Sequence, residues 1–179
     1  MDKFEARRNN QGFSLVELLI MLGMLGLAAA LSVPMLTSSM RDLQMISDAR
    51  SIATSATYAK LSAASQMTQY RLSFNLANNQ WSVAKLDRTS GNFITQGSTS
   101  TLGNGVANSG IAFKANASSA PTGFPAASSA TITFNSRGIP VEGASAIYVS
   151  NSNANYAITV SLSGKVQLLR YKNNQWSSQ

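Results

Sequence analysis

The chain reads as an α+β protein, a long N-terminal helix followed by a mainly antiparallel sheet. Three observations predict this. No Gly or Pro interrupts the run from Met35 to Gln69. Apolar residues in that run recur at three- to four-residue steps, the period of a helix. From Tyr70 onward the period drops to two, with turn residues between the alternating segments, as in half-buried strands.

The helix starts in an apolar stretch. From Phe13 to Leu36, 24 residues, the only ionisable side chain is Glu17. As a helix this stretch is roughly 36 Å long, enough for a bilayer core of ~30 Å. Lys3, Arg7 and Arg8 precede it, so the positive-inside rule leaves the N-terminus in the cytoplasm and sends the rest outward. A removed secretory signal has a shorter apolar core closed by a small-residue site. A retained anchor over 13–36 is therefore expected. Glu17 is the anomaly within it. A lone carboxylate in an apolar span costs about 2.5–3.5 kcal/mol, and no Lys or Arg lies in the span to pair with it. It either stays wet near the membrane surface, four residues from Phe13, or takes a partner from outside the span. Pro34 removes a backbone donor and crowds the carbonyl of Ala30, which predicts a kink.

Beyond the span, Leu36, Met40, Leu43, Ile46, Ala49, Ala53, Ala56, Ala59 and Ala63 mark an apolar stripe. The helix is expected to run to about Ser65, and 37–66 forms its outer half. Alanines on the stripe let a sheet approach closely, while Arg41, Asp42, Asp48, Arg50 and Lys60 fall mostly off it and are expected to be solvated. The region 67–179 is expected to be β-rich. Tyr70, Leu72, Phe74 and Leu76 alternate with polar residues, Asn78-Asn79 turns the chain, and Trp81 to Leu86 returns. Thr131 to Asn135 follows the same rule with Ile132 and Phe134 inward, and Ser136 to Pro140 is a turn. Ala146 to Val149 is the next strand. Tyr156, Ile158, Val160 and Leu162 then alternate with Ala157, Thr159 and Ser161, and Ser163-Gly164 leads into Lys165 to Tyr171. Between Thr89 and Ala130 the chain is low in complexity, with Lys114 its sole charge after Thr89. Ile111 and Phe113 suggest a short strand there. A structureless loop of that length is unusual in a compact domain; the segment at about 89–130 is expected to be flexible, above all Ala115 to Ser129.

Composition narrows the function. There is no Cys and no His, and charged residues make up 12% of the chain. That removes disulfides, thiolate sites and the commonest general base and metal ligand. With four acids scattered beyond Glu17, no catalytic constellation is visible, and neither a cofactor nor a metal site is expected. The net charge of +7 is spread thinly, as on a solvated basic surface.

Gly12-Phe13-Ser14-Leu15-Val16-Glu17-Leu18-Leu19-Ile20 resembles the N-terminus of type IV prepilins and type II secretion pseudopilins. The resemblance implies a pilin-like fold and a leader over 1–12. It also implies cleavage between Gly12 and Phe13 by a prepilin peptidase, and N-methylation of Phe13. Glu17 would pair with the new amino terminus of a neighbouring subunit, and Pro34 would mark helix that melts in the filament. Further along, Gly105-Val106, Phe134-Asn135-Ser136-Arg137-Gly138, Tyr156 to Val160 and Ser163-Gly164-Lys165-Val166 resemble the H-type pseudopilin group, the GspH/FimT-like proteins.

The first reading is thus a minor pseudopilin of a type II secretion system, placed in the inner membrane with its globular part in the periplasm. Its partners would be other pseudopilins or pilins, the prepilin peptidase and the membrane. The alternative is a FimT-like minor pilin of a type IV pilus, acting in pilus assembly or DNA uptake. DNA-binding members of that group carry Gly-Arg-x-Arg, where this chain has Gly164-Lys165-Val166-Gln167. Lys165, Arg170 and Lys172 are the candidate DNA contacts, with Tyr171 and Trp176 able to stack on bases. With one cation of the motif missing, nucleic acid is the disfavoured partner. In a strict strand Lys165 faces away from Arg170 and Lys172, unless Leu168-Leu169 marks a bulge.

Overall fold

The computed structural model describes residues 14–105 and 110–179, excepting the side chains of 31–38 and 104–105. Helix α1 spans Leu15–Ser65, and the chain divides after Ser39 into two compact units. In the first unit the large apolar side chains of α1 that are described are exposed. Leu15 is 75% exposed, Leu18 52% and Leu25 67%, and nothing lies within 4 Å of a Cβ added at Gly23 or Gly26. Among the described residues no helix is long and apolar enough to cross a membrane. The span expected over 13–36 begins at Phe13, outside the described residues, and ends in a stretch whose side chains are outside them too. The backbone is helical through Pro34; the expected kink rests on a side chain beyond those described.

In the second unit the outer half of α1 carries the core. Met45, Ala49, Ile52, Ala56, Ala59 and Ala63 are fully buried, at alternating steps of four and three that keep one face toward the sheets. Two expectations need correction. Met40 and Leu43 point to solvent, so the buried stripe begins at Met45. Asp48, expected to be solvated, is buried, because it lies beside Ala49 on the inward face and a later turn folds over it. At the helix end Met67 takes the left-handed conformation (φ 49°) and the Thr68 N–H donates to the Ala63 carbonyl at 3.2 Å. This is the closing bond of a Schellman-type cap, with Met where Gly is usual.

Ten strands follow. They are β1 (Tyr70–Asn75), β2 (Gln80–Leu86), β3 (Phe93–Thr95), β4 (Ser100–Thr101), β5 (Ala112–Lys114), β6 (Thr131–Phe134), β7 (Ser145–Ser150), β8 (Asn155–Val160), β9 (Val166–Lys172) and β10 (Gln175–Ser178). The first sheet has the order β3-β2-β1-β6, with β4 also on β2, and the second runs β10-β9-β8-β7-β5. Every pairing is antiparallel. Strand β1 alternates as expected, with Tyr70, Leu72 and Phe74 buried against α1. Its turn to β2 places Asn79 at φ 54°, a conformation Asn tolerates better than most residues. Trp81 packs into the core while its Nε1 donates to Ser55 Oγ at 3.3 Å, joining sheet to helix.

Strand β8 is not the half-buried strand its alternation suggests. Both faces are covered: Tyr156, Ile158 and Val160 join the main core, and Ala157 joins a second cluster with Ala146 and Tyr148. Ala117 and Phe124 from the 115–128 loop pack on that second cluster, together with Leu169 and Trp176. Leu162, expected inward, lies past the strand end and is 70% exposed. The 115–128 loop is closed by the Asn116–Ala127 bridge, with Ala117 N donating to Ala126 O at 2.8 Å and Ser128 N to Ala115 O at 2.7 Å.

Candidate functional site

Gly12 and Phe13 lie outside the described residues. Glu17 sits in the first turn of α1, exposed, with no hydrogen bond or ion pair to any described residue. An acid there is favoured by the positive end of the helix dipole. Its carboxylate is free for a group from another molecule, and the side chains around it, Leu15, Val16, Leu18 and Leu19, are more than half exposed.

The two turn motifs of the second half meet. In the first, Asn135 Oδ1 accepts from Arg137 N at 2.9 Å and Ile139 N at 3.1 Å, which folds the chain so that Gly138 has φ 73°. In the second, Gly164 N donates to Ser161 O at 2.8 Å, Lys165 N donates to Ser161 Oγ at 3.1 Å, and Gly164 has φ 76°. A Cβ on Gly164 would stand 2.3 Å from the Gly138 carbonyl oxygen, and one on Gly138 would stand 3.1 Å from Lys60 Cγ. Both turns therefore close onto each other and onto the stem of Lys60. That contact accounts for glycine at both positions: the fold needs the positive φ and the missing side chain together.

Asp48 holds another junction. Its Oδ2 accepts from Gly103 N at 2.7 Å and so fixes the 3-10 turn Leu102–Gly105 over the core. Burial raises its pKa, and the hydrogen bond from Gly103 offsets part of that rise. Asp42 is engaged too, accepting from Asn151 Nδ2 at 3.0 Å.

The candidate DNA contacts do not assemble. Strand β9 pairs with β8 without a break from Val160↔Val166 to Asn155↔Tyr171. There is no bulge at Leu168-Leu169; both leucines serve because both faces of the strand are covered, Leu168 on the main core and Leu169 on the second cluster. Lys165 lies in the turn before β9 and Lys172 at its far end, a separation of roughly 23 Å along the strand. The Arg170 guanidinium lies 5.8 Å from the ring centroid of Tyr156. Trp176, a candidate stacking residue, is already packed 5.0 Å from Tyr171 and 6.0 Å from Tyr148, with its Nε1 donating to Ser119 O at 3.0 Å. The strand that holds Trp176, β10, is not among those the alternation predicts. Its signal is Asn173-Asn174, both at positive φ (52° and 60°), as a two-residue hairpin turn requires.

A polar cleft of about 380 Å³ lies beyond the end of α1, lined by Gln66, Thr68, Lys85, Asp87, Arg88 and neighbours. Arg88 there donates to the Met67 carbonyl. The Asp87 carboxylate is held below its usual pKa, chiefly by the Ser90 hydroxyl and then by the Thr89 N–H. It is an exposed turn carboxylate that accepts from the Ser90 hydroxyl at 2.7 Å. Among the described residues no group of three acids could hold a metal.

The family model for type II transport protein GspH matches residues 48–164. Among solved structures, the chain is similar to the minor pseudopilin EpsH from the type 2 secretion system of Vibrio cholerae. Identity is 12% and the TM-score 0.53, over 71% of this chain and 97% of that one. It is equally similar to the type IV minor pilin FimU of Pseudomonas aeruginosa. There the identity is 16% and the TM-score 0.53, over 76% of this chain and 94% of that one. At such identities the likeness is one of fold. No curated protein matches the chain.

Proposed function

The chain belongs to the GspH family of type II transport proteins, and from that premise we propose that it is a minor pseudopilin, a structural subunit of the type II secretion pseudopilus rather than an enzyme. The observation that carries this reading is the family match over 48–164, which spans both glycine turns, the first sheet, strands β5, β7 and β8 of the second, and most of the outer half of α1. The likeness to EpsH agrees with it; the likeness to FimU is as close, so fold alone does not separate secretion from pilus assembly.

The finer assignments follow from the N-terminal motif. A prepilin peptidase cuts between Gly12 and Phe13, and Phe13 is then N-methylated. The 13–36 stretch anchors the subunit in the inner membrane, N-terminus inward and β-rich unit in the periplasm, and Pro34 loosens the helix on assembly. The support is physical. A helix with Leu15, Leu18, Leu22 and Leu25 all more than half exposed is stable only against lipid or other helices. Glu17 lacks any partner in the described chain, so the amine of a neighbouring subunit is a fitting counter-charge.

Co-assembly tests this. Glu17→Ala is expected to insert into the membrane at least as well as wild type, since it removes the one charge of the span. Its cross-linking to neighbouring pseudopilins is expected to fall. Undiminished cross-linking would overturn the role of Glu17.

A further inference from the structure

The outer face of the second sheet carries a groove of about 530 Å³ between the 115–128 loop and strands β9 and β10. Phe124, Gln167, Leu169, Asn174, Gln175 and Trp176 line it, with Ser119 and Thr122 on the loop side. None of these side chains is ionisable. Trp176 is held in place from behind by Tyr171 and Tyr148, and its N–H is spent on the Ser119 carbonyl. Its ring is thus a platform of fixed orientation. The side-chain amide of Gln167 makes no hydrogen bond to any described residue, and Asn174 Oδ1 receives only a long one, 3.5 Å, from the Tyr171 hydroxyl. Each free amide offers both a donor and an acceptor.

This chemistry selects its ligand. A purely apolar molecule would bury those amides without partners, at a cost. A polyanion needs cations, yet Arg170 alternates with Leu169 and points to the opposite face of β9. A ligand that combines flat C–H faces with ungathered hydroxyl donors and acceptors fits both the aromatic wall and the amides. We infer that this groove binds a neutral oligosaccharide, with Trp176 as the stacking platform and Gln167 and Asn174 as hydrogen-bonding side chains. The inference rests on the groove alone and is independent of the machine in which the subunit works.

The chain has two tryptophans, and Trp81 is buried on the other side of the fold, so the two indole N–H signals separate the groove from the core. The full chain in detergent micelles is titrated with maltotriose, with chitotriose and with a short thymidine oligonucleotide, read by proton–nitrogen correlation spectra. At least one of the sugars is expected to shift the Trp176 signal saturably, with a millimolar dissociation constant, while the Trp81 signal stays still. Gln167→Ala, which leaves the aromatic packing intact, is expected to weaken binding by about tenfold. Trp176→Ala is expected to abolish it, read from saturation transfer to the sugar. The inference is overturned if neither sugar gives a saturable shift by about 50 mM, if the Gln167→Ala variant binds as well as wild type, or if only the oligonucleotide binds.

Discussion

Gly164→Ala tests the closest approach in the fold. The new Cβ would stand 2.3 Å from the Gly138 carbonyl oxygen, where real contacts of this kind stay above 3.0 Å. The two turns must part by at least about 0.7 Å, and the atom in the way is backbone, so no rotamer change relieves it. Overpacking of this sort costs roughly 1–3 kcal/mol, and holding Ala at φ 76° adds roughly 1–2 kcal/mol. Gly143→Ala separates the two contributions. Gly143 also has positive φ (92°), but its Cβ would meet only Leu162 Cδ2, at 3.7 Å, an ordinary contact. The expected losses are about 2–5 kcal/mol for Gly164→Ala against about 1–2 kcal/mol for Gly143→Ala. For a unit the size of Met40–Gln179 each kcal/mol lowers Tm by about 3 °C. Urea unfolding followed by far-ultraviolet circular dichroism measures both. If Gly164→Ala loses no more than Gly143→Ala, the turns do not meet as described and the account of the paired motifs is wrong.

Asp48 gives a pH test. Its pKa is raised in the folded chain, so its contribution to stability is fully present below the unfolded value and is lost as pH rises through the folded one. Asp48→Asn keeps an acceptor for Gly103 N–H without the buried charge. It is expected to match wild type at about pH 3 and to exceed it in urea midpoint near pH 7; a constant difference between the two would contradict the burial argument. Asp48→Ala, by contrast, leaves Gly103 N–H unpaired and is expected to cost about 1–3 kcal/mol at any pH. Mass spectrometry of protein from a host with the peptidase is expected to find a methylated Phe13 as the first residue. An intact Met1 or a cut elsewhere would sink the leader assignment. A gel-shift titration of the Met40–Gln179 unit at two salt concentrations is expected to show only nonspecific DNA binding, with Kd roughly 10⁻⁴–10⁻⁶ M at physiological salt. Tight binding abolished by Lys165→Ala would move the function toward DNA uptake.

What the sequence determined by itself was local and periodic. The three-to-four spacing marked α1 to its last residue, because a helix displays its apolar stripe in every turn. The alternation in Tyr70 to Phe74 and Thr131 to Phe134 marked strands and their inward faces. The Gly12 to Ile20 motif and the turn motifs pointed to the family, since they are contiguous in the chain. What the tertiary structure decided depended on segments far apart. Asp48 looks solvated until the Leu102–Gly105 turn folds onto it. Strand β8 looks half-buried until the 115–128 loop and Trp176 cover its second face. Leu168-Leu169 looks like a bulge for the same reason: two adjacent apolar residues fit a regular strand once both of its faces are buried. Gly138 and Gly164 look like ordinary turn glycines, and only the approach of the Gly138 carbonyl to Gly164 and of Lys60 to Gly138 crowds a side chain there. Periodicity records which way a residue faces along its own element. Burial depends on what comes to cover that face, which is settled by contacts between residues tens of positions apart.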